Sequence, residues 1–519
     1  MESISNNLKR KSSRGDNFYN GSGGAHMKLQ FHDSLRDRCK NYAGSGFLCF
    51  KLLLILFPII FFFSYYPVIR LGSDGAMYYE LSLPLIWLVV FDAVGLIALI
   101  REKRLFSGLK KKWVWLALPV FLTISVIWSA NSVRGILTAG VLWLIYFAGY
   151  TMVSLKDLLK GEEFRRSFWK VFFGATLVIC AWCLVQCILD LAGIPRECSL
   201  MCEGCTYRSF GFPHPNGFAV EPQFMGNLLL APIIVMAFFI LSRGVKKRHC
   251  IILFILVATL FLTFSRGAIY SFAVALVFMS GLYGSKYLTR DRKLGRAPLS
   301  VSRGKYLRAM VSIWATVVLA FVFTLNLQGV MAQVSPTNDT YFSGVAKVLN
   351  HLSLGIIDVR VPEKPEEQVV ENPVENSVEN SVGNGQEESY FDGYVAESTD
   401  MRMQLNRVAL ELWRNDLRTI MFGVGLGGAG QALYDNGLTE WPKEIVQNQY
   451  ISLLLETGLA GVALLILTLV LAVRAVIKKA KGGVILTLMV AYGVSLLFFA
   501  GLPNALHVYL MPVVVMLLL

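Results

Sequence analysis

Residues 249–284 read HCIILFILVATLFLTFSRGAIYSFAVALVFMSGLYG, and this stretch decides the fold class. Two continuously apolar runs, 249–264 and 268–284, are joined only by Ser265-Arg266-Gly267. A helical run of about 20 apolar residues is long enough to cross a hydrocarbon core of about 30 Å. Because neither run alternates with a period of two, the stretch predicts a pair of membrane helices and not two strands of a barrel.

The same apolar pattern recurs along most of the chain of 519 residues. The sequence is 55% hydrophobic and only 16% charged, against roughly 25% charged residues in soluble proteins. This composition excludes an ordinary soluble domain, a disordered chain and a small disulfide scaffold. We therefore expect an all-α polytopic membrane protein with about twelve transmembrane helices. The ten further runs lie near 47–69, 83–100, 113–129, 135–153, 168–191, 218–241, 309–327, 449–473, 484–501 and 502–518.

The basic residues are distributed unevenly between the two sides of the membrane. If the predicted helices alternate in direction, 36 of the 49 lysines and arginines fall on one side and 13 on the other. Positively charged loops stay in the cytoplasm, so both termini are expected there. The net charge of +14 then reflects topology, and nucleic-acid binding is not predicted.

One long hydrophilic segment is expected outside the cytoplasm, between the ninth and tenth helices. It spans residues 328–448 and is longer than the other predicted outer loops. It carries 18 acidic and 8 basic residues. Its middle part repeats Glu-Asn and Val and has too few large apolar side chains to form a hydrophobic core. A disordered acidic tether is therefore expected there. The predicted organisation is a disordered cytoplasmic tail at 1–46, helices one to nine at 47–327, the outer loop at 328–448 (tether 362–399, helix and glycine-rich turn 400–430) and helices ten to twelve at 449–519. The first run follows a polar tail and lacks a small-residue cleavage site, so we do not expect a cleavable signal peptide.

The run Gly425-Leu-Gly-Gly-Ala-Gly430 matches the spacing GxGxxG of dinucleotide-binding loops. It follows a predicted helix and lies on the outer side, whereas that fingerprint requires a preceding strand. Two interpretations stay open, a plain tight turn and a turn that offers backbone N–H groups to a phosphate.

Three cysteines, Cys198, Cys202 and Cys205, have the CxxxCxxC spacing of some iron–sulfur sites. Their loop is predicted on the outer side, where a disulfide between two of the three is favoured over a cluster.

Arginines on three separate segments are candidates for binding an anion at the outer face. Arg266 lies between two apolar runs, where a cation is costly unless it lines an aqueous cavity or meets a negative charge. Arg208 and Arg402 are predicted on the same side. Guanidinium groups bind diphosphates bidentately, so the three could converge on one diphosphate. For Arg266 alone, snorkelling to the outer interface is the alternative.

Two carboxylates are placed where they could accept a proton from a sugar hydroxyl. Glu221 begins the sixth predicted helix, and Glu456 lies in the tenth. Either could act as a general base near the outer mouth of the bundle. For Glu221 the alternative is an acid that offsets the helix dipole.

Other ionisable residues near the helices are assigned no chemistry. Asp92 and Asp190 are predicted to be structural partners of other groups. His214 and His507 lack companions at metal-ligand spacing, so we predict neither a metal site nor a cofactor.

Four motifs resemble the superfamily of membrane O-antigen ligases and O-antigen polymerases. They are Trp128-Ser129, Ser265-Arg266-Gly267, Arg402 followed by the glycine run from Phe422 to Gly428, and the segment 447–461, which reads QNQYISLLLETGLAG. The resemblance covers roughly residues 110–475. It implies about twelve helices, a large outer loop late in the chain, and metal-independent transfer of a glycan from an undecaprenyl diphosphate carrier.

The resemblance also implies roles for individual residues. Arg266 and Arg402 match arginines thought to hold the donor diphosphate, while Arg208 together with Glu221-Pro222 is similar to the polymerase branch. Ligases typically carry His-Asn where this chain has Gln447-Asn448, which makes Gln447 a catalytic-site candidate and Asn448 a glycan-binding candidate. Because glutamine cannot act as a base, either Glu221 takes that role or the chain is a divergent ligase with altered chemistry.

The predicted function is polymerisation of undecaprenyl-diphosphate-linked repeats of a surface polysaccharide such as O-antigen, capsule or exopolysaccharide. The alternatives are a ligase that transfers finished polysaccharide to lipid A–core and a secondary transporter. Against a transporter, the chain lacks an internal repeat, and its charges in the membrane lie near the outer face and not at the midplane. The expected partners are the lipid-linked oligosaccharide, the bilayer and a chain-length regulator.

Overall fold

Helices occupy every predicted apolar run in the part of the chain that the computed structural model describes. The helix ends depart from the ends of the predicted runs by at most seven residues. Arg208 and the three clustered cysteines lie outside the described residues. The predicted acidic tether also lies outside them as far as residue 395, but its last four residues, 396–399, belong to a helix that begins at Ala396. The structure describes residues 48–62, 67–71, 79–105, 113–159, 161–192, 213–219, 221–288, 303–334, 340–353, 357, 396–442, 444–479, 481–501 and 505–519.

Within the described residues, seven helices are long and apolar enough to cross a membrane, and four more apolar helices are shorter. The prediction of a helical membrane protein is confirmed at this level, while the count of twelve crossings stays a prediction. The helices on apolar runs are α1 (Leu48–Phe62), α2 (Leu83–Arg101), α3 (Ala117–Ser125, between 3₁₀ turns at Trp113–Leu116 and Val126–Trp128), α4 (Ser132–Ser154), α5 (Glu162–Leu191), α6 (Pro222–Arg243), α7 (Lys247–Leu262), α8 (Arg266–Leu288), α9 (Arg303–Val334), α14 (Gln449–Ile477), α15 (Gly482–Ser495) and α16 (Leu506–Leu518). A third 3₁₀ turn, Lys156–Leu159, follows α4.

The first apolar run is helical over a shorter stretch than predicted. Helix α1 ends at Phe62, and the chain continues into a two-stranded antiparallel hairpin of β1 (Pro67–Leu71) and β2 (Tyr79–Ser82). In the register of the hairpin, Leu71 pairs with Tyr79. Proline lacks a backbone N–H and interrupts a helix, so Pro67 explains why the helix does not extend to residue 69. Proline is tolerated at the first residue of a strand, which is its position in β1.

Helix α6 is the central helix of the bundle, because almost all of its length is enclosed by protein. Its apolar residues are distributed around the whole circumference, which is typical of a helix surrounded by other helices. Helices α7, α8 and α15 pack against it. A Cβ atom on Gly226 would lie 2.6 Å from the Cβ atom of Ala268, so the amino-terminal turns of α6 and α8 touch closely. The start of α6 is thereby fixed next to Arg266.

Between α9 and α14, the described part of the chain contains four helices. They are α10 (Tyr341–Ser353), α11 (Ala396–Trp413), α12 (Leu417–Phe422) and α13 (Ala429–Asp435). Helix α10 packs on the end of α9, where Gly344 approaches Ala332 so closely that a Cβ on the glycine would be 2.6 Å from the alanine methyl group. A second apolar cluster joins α11, α13 and α14 through residues that include Ala409, Leu433 and Leu455.

The two predicted structural carboxylates have different surroundings. Asp190 is buried near the end of α5. Asp92 is buried in α2, and neither of its carboxylate oxygens has a hydrogen-bond partner among the described residues. The expected partner of Asp92 is therefore not found within this part of the chain.

Candidate functional site

Arg266 begins α8 directly after a tight reversal of the chain. The hydroxyl of Thr263 donates to the carbonyl oxygen of Leu260 at 2.7 Å, which closes α7. The hydroxyl of Ser265 accepts from the backbone N–H of Ala268 at 3.4 Å and caps α8. Between them, Phe264 adopts a φ of +47°, which is unusual for an aromatic residue. The reversal leaves Arg266 half-buried in the first turn of α8.

The loop 496–501 after α15 connects this reversal to α6. The side-chain amide of Gln223 donates to the carbonyl oxygen of Phe498 at 2.9 Å. A Cβ atom on Gly267 would lie 2.7 Å from the Cβ atom of Phe498, so the position next to Arg266 requires a residue without a side chain.

The same loop also holds the start of α14. The backbone N–H of Gln449 donates to the carbonyl oxygen of Leu496 at 2.9 Å, and the N–H of Gly501 donates to Oε1 of Gln449 at 2.6 Å. One short loop thus contacts the starts of α6, α8 and α14. The sequence-predicted residues Glu221, Arg266, Gln447 and Asn448 lie at these three helix starts.

Glu221 precedes α6 and lies within electrostatic range of Arg402 on α11. Its side chain is exposed to solvent, and it makes no side-chain capping hydrogen bond with the helix. Protein nevertheless surrounds the carboxyl group closely enough that desolvation raises its pKa, and the guanidinium of Arg402 lowers it in part. An accessible carboxylate with a raised pKa beside a cation suits a general base.

Asn448 has a clear local role at the start of α14. Its side-chain oxygen accepts from the backbone N–H groups of Tyr450 at 3.0 Å and Ile451 at 3.2 Å, so it is the N-cap of the helix. Gln447 precedes it and is half-buried. The glycan-binding role of Asn448 stays a prediction, because the cap alone accounts for an asparagine here.

Glu456, the second candidate base, binds the glycine-rich turn. Its carboxylate accepts hydrogen bonds from the backbone N–H groups of Gly427 and Ala429, and Arg134 of α4 lies within electrostatic range. A cavity of about 20 Å³, room for about one water molecule, is lined by Arg134, Glu456 and Gln449, among others. The glycine run therefore offers backbone N–H groups to an anion, and this anion is the carboxylate of Glu456 in the same chain. Binding of a phosphate by the turn stays a prediction.

The glycine run threads between other backbone segments at van der Waals distance. The N–H of Gly425 donates to the carbonyl oxygen of Glu456 at 2.9 Å, and the N–H of Ala130 donates to the carbonyl oxygen of Val424 at 3.2 Å. Gly425 has a φ of +91°, and a Cβ atom there would lie 2.3 Å from the Cα atom of Ser129. The turn is therefore built for close packing between α3 and α14.

A pair of histidines lies behind the Arg266 reversal. Nε2 of His351, on α10, lies 3.0 Å from the carbonyl oxygen of Phe264. The ring of His214 lies 5.4 Å from the ring of Phe264 and 6.5 Å from that of His351. Burial lowers the pKa of His214 to about 3 and that of His351 to about 4, and the nearby Arg266 also lowers the latter. His214 thus has an imidazole neighbour that its sequence spacing did not indicate.

Sequence reasoning missed the residues that hold the site together. His351, Phe498 and Arg134 act on segments far away in the chain, and no local pattern marks them. The N-cap role of Asn448 could have been predicted, because asparagine before an apolar helical run is a common start signal. Convergence of Arg208 with Arg266 and Arg402 stays a prediction, since Arg208 lies outside the described residues.

The central part of the chain is similar to one known protein family. Residues 251–466 match the family model described as O-antigen ligase, which confirms for this segment the resemblance to the O-antigen ligase superfamily. The match includes Arg266, Arg402, Gln447 and Asn448 and begins after Glu221. It points to glycan transfer in polysaccharide assembly at a membrane. None of the curated proteins compared with the chain matches it.

Proposed function

We propose that the protein is an inner-membrane glycosyltransferase that polymerises undecaprenyl-diphosphate-linked repeats of a surface polysaccharide on the extracytoplasmic face. The observation that carries this proposal is the proximity of Glu221 and Arg402 at the start of α6, beside the reversal that holds Arg266. A proton acceptor and cations are the two kinds of group that transfer from a diphosphate carrier requires.

The reaction follows from these two kinds of group. The hydroxyl oxygen of an acceptor sugar forms a bond to the anomeric carbon of the donor glycan. The bond between that carbon and the diphosphate oxygen breaks, and undecaprenyl diphosphate leaves with the bonding electron pair. Arg266 and Arg402 stabilise the negative charge that develops on the leaving group, as preorganised donors do in an oxyanion hole. Glu221 accepts the proton of the acceptor hydroxyl.

Glu221 is a better base than Glu456 in this site. The carboxylate of Glu456 already accepts two backbone N–H groups, which stabilise its charged form and hold it in the glycine-rich turn. The side chain of Glu221 is exposed to solvent and makes no capping hydrogen bond with α6, so its carboxylate is not already held by backbone donors of that helix.

A ligase that transfers finished polysaccharide to lipid A–core is the second candidate, favoured by the description of the matching family. Gln447 argues against the ligase. Its position typically carries histidine in ligases, and the glutamine side chain cannot accept a proton at neutral pH.

The experiment that separates the candidates is the surface-polysaccharide ladder of a deletion strain of the host cell. A polymerase predicts the loss of long chains with a single repeat retained. Loss of all lipid A–core that carries polysaccharide would favour the ligase. An unchanged ladder, together with unchanged capsule and exopolysaccharide, would contradict the proposal.

A further inference from the structure

A second opening lies on the glycine-rich segment and is lined by other residues than those assigned to the reaction. It is a cleft of about 240 Å³, and its side chains include Trp128, Arg418, Thr419, Asp435 and Asn436. None of Glu221, Arg266, Arg402 and Gln447 lines it. Gly423 and Val424 form part of its wall, whereas Gly427 and Ala429 of the same segment line the small cavity beside Glu456.

Hydrogen bonds between side chains and the backbone fix the segments that form the cleft. The indole N–H of Trp128 donates to the carbonyl oxygen of Phe422 at 3.4 Å. The carboxylate of Asp416 accepts from the backbone N–H of Thr419 at 3.0 Å and caps α12. The indole N–H of Trp413 donates to the carbonyl oxygen of Ile420 at 3.2 Å. A ligand entering the cleft therefore meets a largely preformed surface, which reduces the entropy lost on binding.

The polar groups in the cleft both donate and accept hydrogen bonds. Gln431 donates to one carboxylate oxygen of Asp435 at 2.8 Å, which orients that carboxylate. The amide nitrogen of Asn436 donates to the carbonyl oxygen of Ala432 at 2.8 Å, so its amide oxygen can accept from a ligand. Arg418 is exposed and contributes only donors. Because Arg418 and Asp435 carry opposite charges, this mixture suits a neutral ligand rich in hydroxyl groups better than an anion.

Three exposed apolar residues are direct chain neighbours of residues that line the cleft. Leu417 is 75% exposed, Ile127 is 82% exposed, and Phe422 is 45% exposed. Exposed residues of this kind beside a polar surface are typical of a segment at the membrane interface. A hydroxyl-rich ligand held here would lie next to the lipid surface.

We propose that this cleft binds the saccharide of the lipid-linked acceptor repeat, with its ring on the indole of Trp128 and its hydroxyl groups on Asp435 and Asn436. The inference rests on the proposed function, because polymerisation requires a second lipid-linked saccharide to be held while its hydroxyl reacts. An amphipathic indole gives a sugar ring an apolar face to lie on. The polar side chains supply orientation and specificity, as in other small-molecule sites.

The test is direct binding of a saccharide to the full-length protein in lipid nanodiscs. The probe is the repeat-unit oligosaccharide released by mild acid from the lipid-linked repeats of the host cell, and saturation-transfer NMR measures its Kd. We expect the double variant Asp435→Ala, Asn436→Ala to weaken binding about tenfold or more, which corresponds to about 1.4 kcal/mol, because it removes the hydrogen-bonding groups that would hold the saccharide hydroxyls. Glu440→Ala, an exposed acid on the following loop that does not line the cleft, is the matched control.

The outcome separates this proposal from the proposed function. Equal binding by the wild type, the double variant and Glu440→Ala would overturn the cleft assignment, even if the wild type polymerises. Binding that the double variant loses, in a protein whose deletion leaves every surface polysaccharide unchanged, would retain the cleft and contradict polymerisation. Trp128→Phe should retain most of the affinity and Trp128→Ala should lose it, which distinguishes ring stacking from a general loss of structure. No detectable binding by the wild type would also overturn the assignment.

Discussion

Nε2 of His351 lies 3.0 Å from the carbonyl oxygen of Phe264, two residues before Arg266. On the other side of that arginine, the hydroxyl of Tyr270 donates to the carbonyl oxygen of Leu352 at 2.5 Å. Helix α10 is thus joined to the chain both before and after Arg266. Helix α10 therefore positions the arginine without contributing a reacting group.

Replacing His351 should reduce polymer formation without removing the protein from the membrane. We expect His351→Ala to lower the rate by about ten- to a hundredfold, because small displacements of a positioned group have effects of this size. His351→Gln, which keeps a nitrogen near the position of Nε2, should recover most of the activity. Phe342→Ala on the same helix is the control, since Phe342 is 75% exposed. Equal activity in all variants at equal protein levels would show that α10 does not position Arg266.

Acidification should destabilise the segment around the two histidines. Both have lowered pKa values in the folded protein, about 3 for His214 and about 4 for His351. Between about pH 6.5 and pH 4 the unfolded chain binds protons that the folded chain does not. The free energy of unfolding therefore decreases as the pH is lowered, by up to about 1.4 kcal/mol per pH unit for each histidine. Thermal unfolding in nanodiscs at pH 7 and pH 5 measures the effect, and His351→Gln should reduce the pH dependence. A Tm that is equal at both pH values would contradict this expectation.

The helices were predictable from the sequence, and most of the site's connections were not. A continuous apolar run is a local property, so the runs around Arg266 and the position of that arginine between them could be found without a structure. The contact of His351 with Phe264 joins residues 87 positions apart, and Phe498 reaches Gly267 across more than 200 positions. Such contacts depend on how the helices pack, which periodicity does not encode.

Glycine substitutions should separate steric clash from backbone strain in the glycine-rich turn. Gly425 and Gly437 both have positive φ, +91° and +68°, but only Gly425 faces another backbone within 4 Å. Gly437→Ala should cost about 1–2 kcal/mol from the left-handed conformation alone. Gly425→Ala should cost more, because the new methyl group would collide with Ser129, and we expect little folded protein. The measurement is the yield and Tm of each variant in detergent, and equal values would contradict the close packing of the turn.

The two candidate bases should respond differently to loss of charge. Glu456→Gln weakens the hydrogen bonds from Gly427 and Ala429, so we expect a lower Tm, by several degrees, and a proportionate loss of protein. Arg134→Ala should lower the Tm in the same way. Glu221→Gln should leave the Tm unchanged, because its side chain makes no capping hydrogen bond. If Glu221→Gln destabilised the protein and Glu456→Gln did not, the two assignments would be reversed.

The most direct measurement of the central claim is the surface-polysaccharide ladder of a deletion strain that carries Glu221→Gln at the wild-type protein level. Loss of a general base reduces a rate by about 10²- to 10⁴-fold. The ladder is therefore predicted to contain a single repeat and no long chains, whereas the wild-type gene restores the full ladder. A full ladder with Glu221→Gln would contradict the assignment of Glu221 as the base in lipid-linked glycan polymerisation.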